Sequence, residues 1–164
     1  MKTLHELLKQ ISHGVYVISV CDREENNAFT AAWVMQVSFS PLLLAFSISP
    51  MHRTYKLLCR SGECAIHVLK QDQTALALHF SSSDLNKMID HKWQFAKTKS
   101  PILSESSAYF DCKVKQMITT GDHELVVWEV IDAGYLEQGT PMLYCETGDM
   151  DGSSQFFKQS YRDI

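Results

Sequence analysis

A chain of 164 residues with 45% hydrophobic and 21% charged side chains has the balance of one globular domain and can bury a core, which excludes intrinsic disorder. A net charge of -4 and a pI near 5.9 exclude a protein whose main task is gripping nucleic-acid backbones, because that affinity rests on concentrated Lys and Arg. Apolar runs such as Leu42 to Phe46 are too short to span a bilayer. The opening Met1-Lys2-Thr3-Leu4-His5-Glu6 is not a basic stretch followed by an apolar one, so no membrane role and a soluble, cytoplasmic protein are expected.

The spacing of Leu4, Leu7, Leu8 and Ile11 predicts a short amphipathic helix. Thr3 and Glu6 stand at capping-box spacing, and Gly14 ends the element. Val15 to Cys21 is β-branched and apolar, and Asp22 to Asn27 is polar and turn-forming. Strands follow over Phe29 to Phe39 and Leu42 to Ser49, separated by Ser40-Pro41. Thr54 to Cys59 reads as a helix, Cys64 to Leu69 as a strand and Gln73 to Phe80 as a helix. Within the mixed stretch from Ser81 to Ser106, Asp84 is a plausible cap for a helix whose apolar side is Leu85, Met88 and Ile89. Phe110, Cys112 and Val114 alternate with Asp111, Lys113 and Lys115, as a half-buried strand should. Glu124 to Ile131 is strongly β-prone, and Met142 to Cys145 is a last short run. Many such strands with few helices predict a mainly β fold, a barrel with flanking helices, in a single domain over residues 1–164.

Three places could carry chemistry. Phe29 to Ser40 sets small and hydroxyl side chains among β-prone ones, which would let the edge of a flat aromatic cofactor approach the backbone. Ser49-Pro50-Met51-His52-Arg53-Thr54 is a Ser/Pro turn opening a helix, a natural place for an anion. Thr120-Gly121-Asp122-His123-Glu124 delivers an imidazole to a barrel rim. Each has a plainer reading, as a strand, a capped turn and a turn histidine bonding its own backbone. The other histidines have no ligand spacing, so no metal is expected. The glycines form neither a dinucleotide fingerprint nor a P-loop, and G-x-S-x-G is absent. The five cysteines Cys21, Cys59, Cys64, Cys112 and Cys145 are odd in number and irregularly spaced. They read as buried small hydrophobes in a reducing compartment.

Four segments, taken in order, resemble the flavin reductase-like, FMN-binding split-barrel proteins. They are Gly14-Val15-Tyr16-Val17-Ile18-Ser19, then Phe29 through Pro41, then Ser61-Gly62 with the run to Val68-Leu69, then Gly121-Asp122-His123 ahead of Trp128-Glu129-Val130. The family includes reductases that feed reduced flavin to two-component monooxygenases, and flavoredoxin-like proteins. The resemblance implies a Greek-key split barrel that binds FMN, with FAD the other candidate, and takes hydride from NAD(P)H. It implies a homodimer and a monooxygenase or other electron acceptor as partner. An FMN-bearing electron carrier or flavin-binding module without nicotinamide activity is the alternative. By position, Thr30, Ala31, Ala32 and Trp33 with Val37, Ser38, Phe39 and Ser40 would line the isoalloxazine. His52, Arg53 and Thr54 would lie near the phosphate, and Phe80 and Ser81 near the phosphate and ribityl end. His123 would face the nicotinamide as the catalytic residue. The chain departs from the family pattern at His52 for Ser, His67 for Asn, Ala28 for Gly, Ala31-Ala32 for Ala-Ser, and a single Pro41 for paired prolines.

Overall fold

The computed structural model describes residues 3–23 and 25–157. Helix α1 (Leu4–Leu8) begins at Thr3, whose hydroxyl accepts from the Glu6 amide while the Glu6 carboxylate accepts from the Thr3 amide. Its packing differs from the sequence expectation, because Leu7, Leu8 and Ile11 are exposed and His5 is the residue buried. The chain continues through β1 (Tyr16–Asp22), β2 (Glu25–Ala31), β3 (Val34–Ser38), β4 (Leu43–Ile48), α2 (Tyr55–Ser61), β5 (Glu63–Val68) and α3 (Thr74–Ser81). It then forms β6 (Trp93–Gln94), β7 (Ile102–Leu103), β8 (Ala108–Thr119) and β9 (Glu124–Tyr135).

Seven strands form one antiparallel sheet in the order β2-β1-β5-β8-β9-β4-β3, and β6 pairs with β7. Strands β5, β8 and β9 make a meander with β4 returning beside β9, which is a Greek-key order. The edge strands β2 and β3 are consecutive in sequence, joined only by Ala32 and Trp33. A flat seven-stranded sheet would hold its edges about 29 Å apart. A two-residue link reaches about 10 Å. The sheet must therefore roll until its edges face each other, and it becomes a barrel with a split. The long strands β8 and β9 allow this, since their register shifts between Asp111 and Cys112 and between Val114 and Gln116.

The interior is filled from almost every strand: Ile18, Val20, Phe29, Leu44, Phe46, Ile66, Val126 and Trp128, with Leu57 and Leu58 of α2. Trp128 stacks on Phe46, ring centroids 5.4 Å apart. A second cluster covers the outer face of β1, β2 and β5, where Val15, Val17, Ala28 and Leu69 meet Ala77 and Phe80 of α3, Leu103, Met142 and Tyr144.

Several sequence expectations are corrected. Phe29 to Phe39 is two strands, because closing the barrel breaks the chain at Ala32-Trp33. Residues 85–90 form turns where a helix was expected; Asp84 accepts from the Asn86 amide, and Lys87 is drawn inward to cap α3. Residues 142–145 make an isolated bridge at Leu143 and a 3-10 turn, Tyr144–Glu146. Cys64 and Cys112 are buried, but Cys59 and Cys145 are exposed and Cys21 lies between.

Candidate functional site

The split between the sheet edges holds a pocket. Phe29 to Trp33 form one wall, Ser47, Ile48 and Ser49 at the end of β4 a second, and His52, His123 and Asp151 close it. Trp33 turns the corner between β2 and β3 at φ 48°. That left-handed conformation costs a bulky residue about 1–2 kcal/mol. In return the chain reverses within two residues, and the indole faces His123 with ring centroids 5.5 Å apart.

His52 lies against Phe29, ring centroids 4.6 Å apart. Its Nδ1 accepts from the Thr54 amide at 3.2 Å, so Nε2 carries the proton of the neutral ring. Loss of water around the ring, then the nearby Lys87 ammonium, lowers its pKa. Lys87 is itself buried, and its Nζ donates to the carbonyls of Phe80 at 3.0 Å and Ser82 at 2.9 Å. Desolvation, then Arg53, lowers its pKa in turn. Arg53 reaches the Ser83 carbonyl at 3.3 Å. Arg53 and Lys87 thus make a cationic corner beside the pocket, with the neutral His52 ring between them and its wall.

On the opposite side His123 precedes β9, its carbonyl accepting from the amide and hydroxyl of Thr120. Its Nδ1 lies 2.7 Å from Asp122 Oδ1, and that contact holds the Asp122 carboxyl below its usual pKa.

The structure brings Thr30, Ala31, Ala32, Trp33, His52 and His123 to one pocket. It does not bring the other expected residues to that wall. Val37 and Ser38 lie further along β3, and Phe39 and Ser40 are exposed in the turn before β4, where the Ser40–Pro41 peptide is cis. Arg53 is exposed beside the pocket. Thr54 is buried, its hydroxyl accepting from Asn27 at 2.8 Å. Phe80 belongs to the outer cluster, and the Ser81 hydroxyl donates to the Leu78 carbonyl. Thr30 lines the pocket, but its hydroxyl donates to the Ala77 carbonyl at 2.6 Å and so anchors α3. Sequence reasoning missed Ser47, Ile48 and Asp151 on the wall and Lys87 beside it. Only the closure of the barrel, and the return of residues 144–153 to it, brings them there.

These residues fit a flavin in their chemistry. Aromatic faces and small side chains suit a flat ring. Strand β2, as a sheet edge, has no strand paired to its outer side among the described residues and can offer backbone groups to the ring's polar edge. The cationic corner suits a phosphate. Among the described residues no group of three or more His, Cys, Asp or Glu could hold a metal ion, and no helix is long and apolar enough to cross a membrane.

Residues 8–153 match the family described as flavin reductase like domain. The chain is 27% identical over 138 residues to the reductase subunit of a flavin-dependent monooxygenase from Rhodococcus jostii, a match covering 84% of this chain and 71% of that protein. It is 26% identical over 131 residues to the reductase component of a flavin-dependent trigonelline monooxygenase from Acinetobacter baylyi, covering 79% of this chain but only 42% of that relative. A solved homologue of nitrilotriacetate monooxygenase component B from Mycobacterium thermoresistibile has a TM-score of 0.79 at 25% identity, covering 84% of this chain and 78% of that one.

Proposed function

The chain belongs to the flavin reductase-like domain family, and from that membership we propose that it is an NAD(P)H-dependent reductase of FMN that passes electrons to a monooxygenase or other acceptor. The pocket at the barrel split carries this reading, because it joins flat aromatic walls to a cationic corner. The ring of the flavin would lie along Thr30 to Trp33, held mainly by backbone groups. Arg53, Lys87 and His52 would take the phosphate, and Thr54 would steady their turn through Asn27. When bound, the flavin supplies the ring that accepts hydride from the C4 of the reduced nicotinamide. The chain's task is to orient the two rings and exclude water, which needs no acid–base dyad. His123 and Trp33 would hold the nicotinamide side.

Exposed apolar side chains on β3 (Met35, Val37), in the turn after it (Phe39) and on the outer part of β8 (Met117, Ile118) support a homodimer. The unpaired cysteines support a reducing, cytoplasmic setting.

The absorption spectrum of the purified protein before and after NAD(P)H tests the proposal. Flavin-dependent oxidation of the nucleotide is expected. A flavin-loaded protein inert to both nucleotides would be a carrier or binding module. Failure to take up flavin would overturn both readings. His123→Ala should lower turnover by about tenfold to a hundredfold, while FMN affinity changes little. Collapse of FMN binding with turnover per bound flavin intact would remove His123 from that role.

A further inference from the structure

We propose that Asp151 receives the imide N–H of the flavin: its carboxylate accepts from N3 of the isoalloxazine and so sets which way round the ring lies in the pocket. This rests on the flavin reading above. Of the residues lining the pocket, Asp151 is the one acidic side chain, and no Lys or Arg is among them.

The carboxylate is held by its own segment, with capacity left for a ligand. The Tyr144 hydroxyl donates to Oδ2 at 2.6 Å, and the Ser153 amide donates to Oδ1 at 3.1 Å. A carboxylate has about four acceptor positions, and Tyr144 and Ser153 leave part of that capacity open. Asp151 is exposed at the pocket, while Tyr144 is buried. Burial pushes the Asp151 pKa up, but the bonds from Tyr144 and Ser153, with the Lys9 ammonium, outweigh it and hold the group below its usual value. Tyr144 is pushed up to about 12, by burial first and then by Asp151, so it stays a donor. Near neutral pH the pocket therefore meets a fixed, ionised acceptor.

The segment bearing Asp151 is fastened to α1 and its end. His5 Nδ1 lies 3.3 Å from the Ser153 hydroxyl, and His5 Nε2 lies 3.7 Å from Asp149. The Lys9 ammonium sits over the Tyr144 ring, 4.9 Å from its centroid. The N-terminal helix thus braces a wall of the site.

The two ends of the β2 wall ask different things of a ligand. His52 lies against Phe29, with Arg53 and Lys87 beside it, so that end suits an anion. Ala32 packs on the same outer cluster as Met150, the neighbour of Asp151, so the carboxylate belongs to the other end. FMN with its phosphate at the first end presents its ring to the second. The oxidised isoalloxazine carries one N–H, at N3, and the other polar positions of its edge (N1, O2, O4 and N5) only accept. A carboxylate also only accepts. It repels each of those positions except N3, so its charge selects the orientation that brings the imide to it.

The probe is 3-methyl-FMN, which has a methyl group in place of the N3 hydrogen. Calorimetric affinities for FMN and 3-methyl-FMN would be compared in the full chain, in Asp151→Asn and in Asp151→Ala. The wild type should bind 3-methyl-FMN about tenfold more weakly than FMN, as fits the loss of a hydrogen bond to a charged group. Asp151→Asn keeps the shape but not the charge, and should reduce that ratio to about threefold. Asp151→Ala should bring the two affinities within about twofold of each other. A wild-type ratio near one would overturn the proposal, as would a ratio that neither variant moves. A ratio that falls in Asp151→Ala alone would also overturn it, because that pattern reports the bulk of the methyl group and not a bond. Failure of the wild type to bind either flavin would overturn the flavin reading itself, and this proposal with it.

Discussion

The two faces of β1 are buried against different kinds of neighbour. Ile18 and Val20 point into the barrel, among Phe46, Ile66, Val126 and Trp128, where nearly every atom is apolar. Val17 and Ser19 point outward, to a layer that is just as buried but stitched by polar groups. The Ser19 hydroxyl donates to the Pro101 carbonyl. His67 Nδ1 donates to the Val17 carbonyl at 2.8 Å, and its Nε2 accepts from the Leu103 amide at 3.0 Å. Asp111 accepts from the amides of Lys97 and Thr98. Apolar packing holds strands together whatever they connect to. The outer face must also fix α3, β7 and the segment near Tyr144 in register, and directional bonds do that. The pocket is built where the two regimes meet, with Phe29 from the interior cluster and Asp151 hung from Tyr144 of the outer one.

The contrast can be broken most forcefully inside. Trp128→Ala should lower unfolding free energy by about 3–5 kcal/mol, equally at every pH near neutrality. The Trp128 indole N–H meets no protein acceptor, so Trp128→Phe should cost far less, about 1 kcal/mol. Urea denaturation of both variants measures this. A Phe variant as damaged as the Ala one would show that the interior depends on a polar contact after all.

The outer face should instead answer to pH. Burial lowers the pKa of His67 to about 4, against an ordinary 6.5, with its bond to Val17 opposing that shift. Below 6.5 the unfolded chain takes up a proton that the folded one refuses. Stability is therefore complete above that value and is lost as pH falls towards 4, by of order 3 kcal/mol in total. His13, through burial, and His52, through burial and then Lys87, are also lowered and add in the same direction. His67→Asn should flatten this part of the stability profile, because an amide can supply the same donor and acceptor without a proton to gain. A slope unchanged in that variant would assign the pH response elsewhere.

The smallest effect concerns the join between strand and helix. Thr30→Val removes the bond to the Ala77 carbonyl and should cost about 1 kcal/mol of stability. FMN affinity should change by less than about threefold. A larger loss of affinity would mean that the Thr30 hydroxyl serves the ligand directly.

Much of this fold was legible locally. The capping box at Thr3 and Glu6, the β-branched runs and the helices α2 and α3 announce themselves through spacing. The break at Trp33 did not. No Gly or Pro marks it, and it exists because two sheet edges must meet. The turns over residues 85–90 were read as a helix because Leu85, Met88 and Ile89 have helical spacing; Leu85 and Ile89 are in fact exposed, and Lys87 caps α3. At the site, the wall from Thr30 to Trp33 could be read because its residues are contiguous. Asp151 could not, since nothing around Gly152 or Ser153 names the pocket to which Tyr144 carries it. His67 looked like a mere departure from a family pattern, and its two bonds explain why a donor–acceptor pair is wanted there.

The joining of consecutive strands across the split also orders the birth of the pocket. Phe29 to His52 lie close along the chain, and the pairings β1 with β2 and β3 with β4 are short-range hairpins. These form quickly in a folding chain. His123 reaches the same pocket only when β4 finds β9, with Ile48 opposite Glu124, a contact between distant parts of the sequence. Such pairings carry a loop-closure cost and come late. A partly folded chain would thus carry the aromatic wall of the site without its far side, so competence to bind should appear together with the final cooperative step.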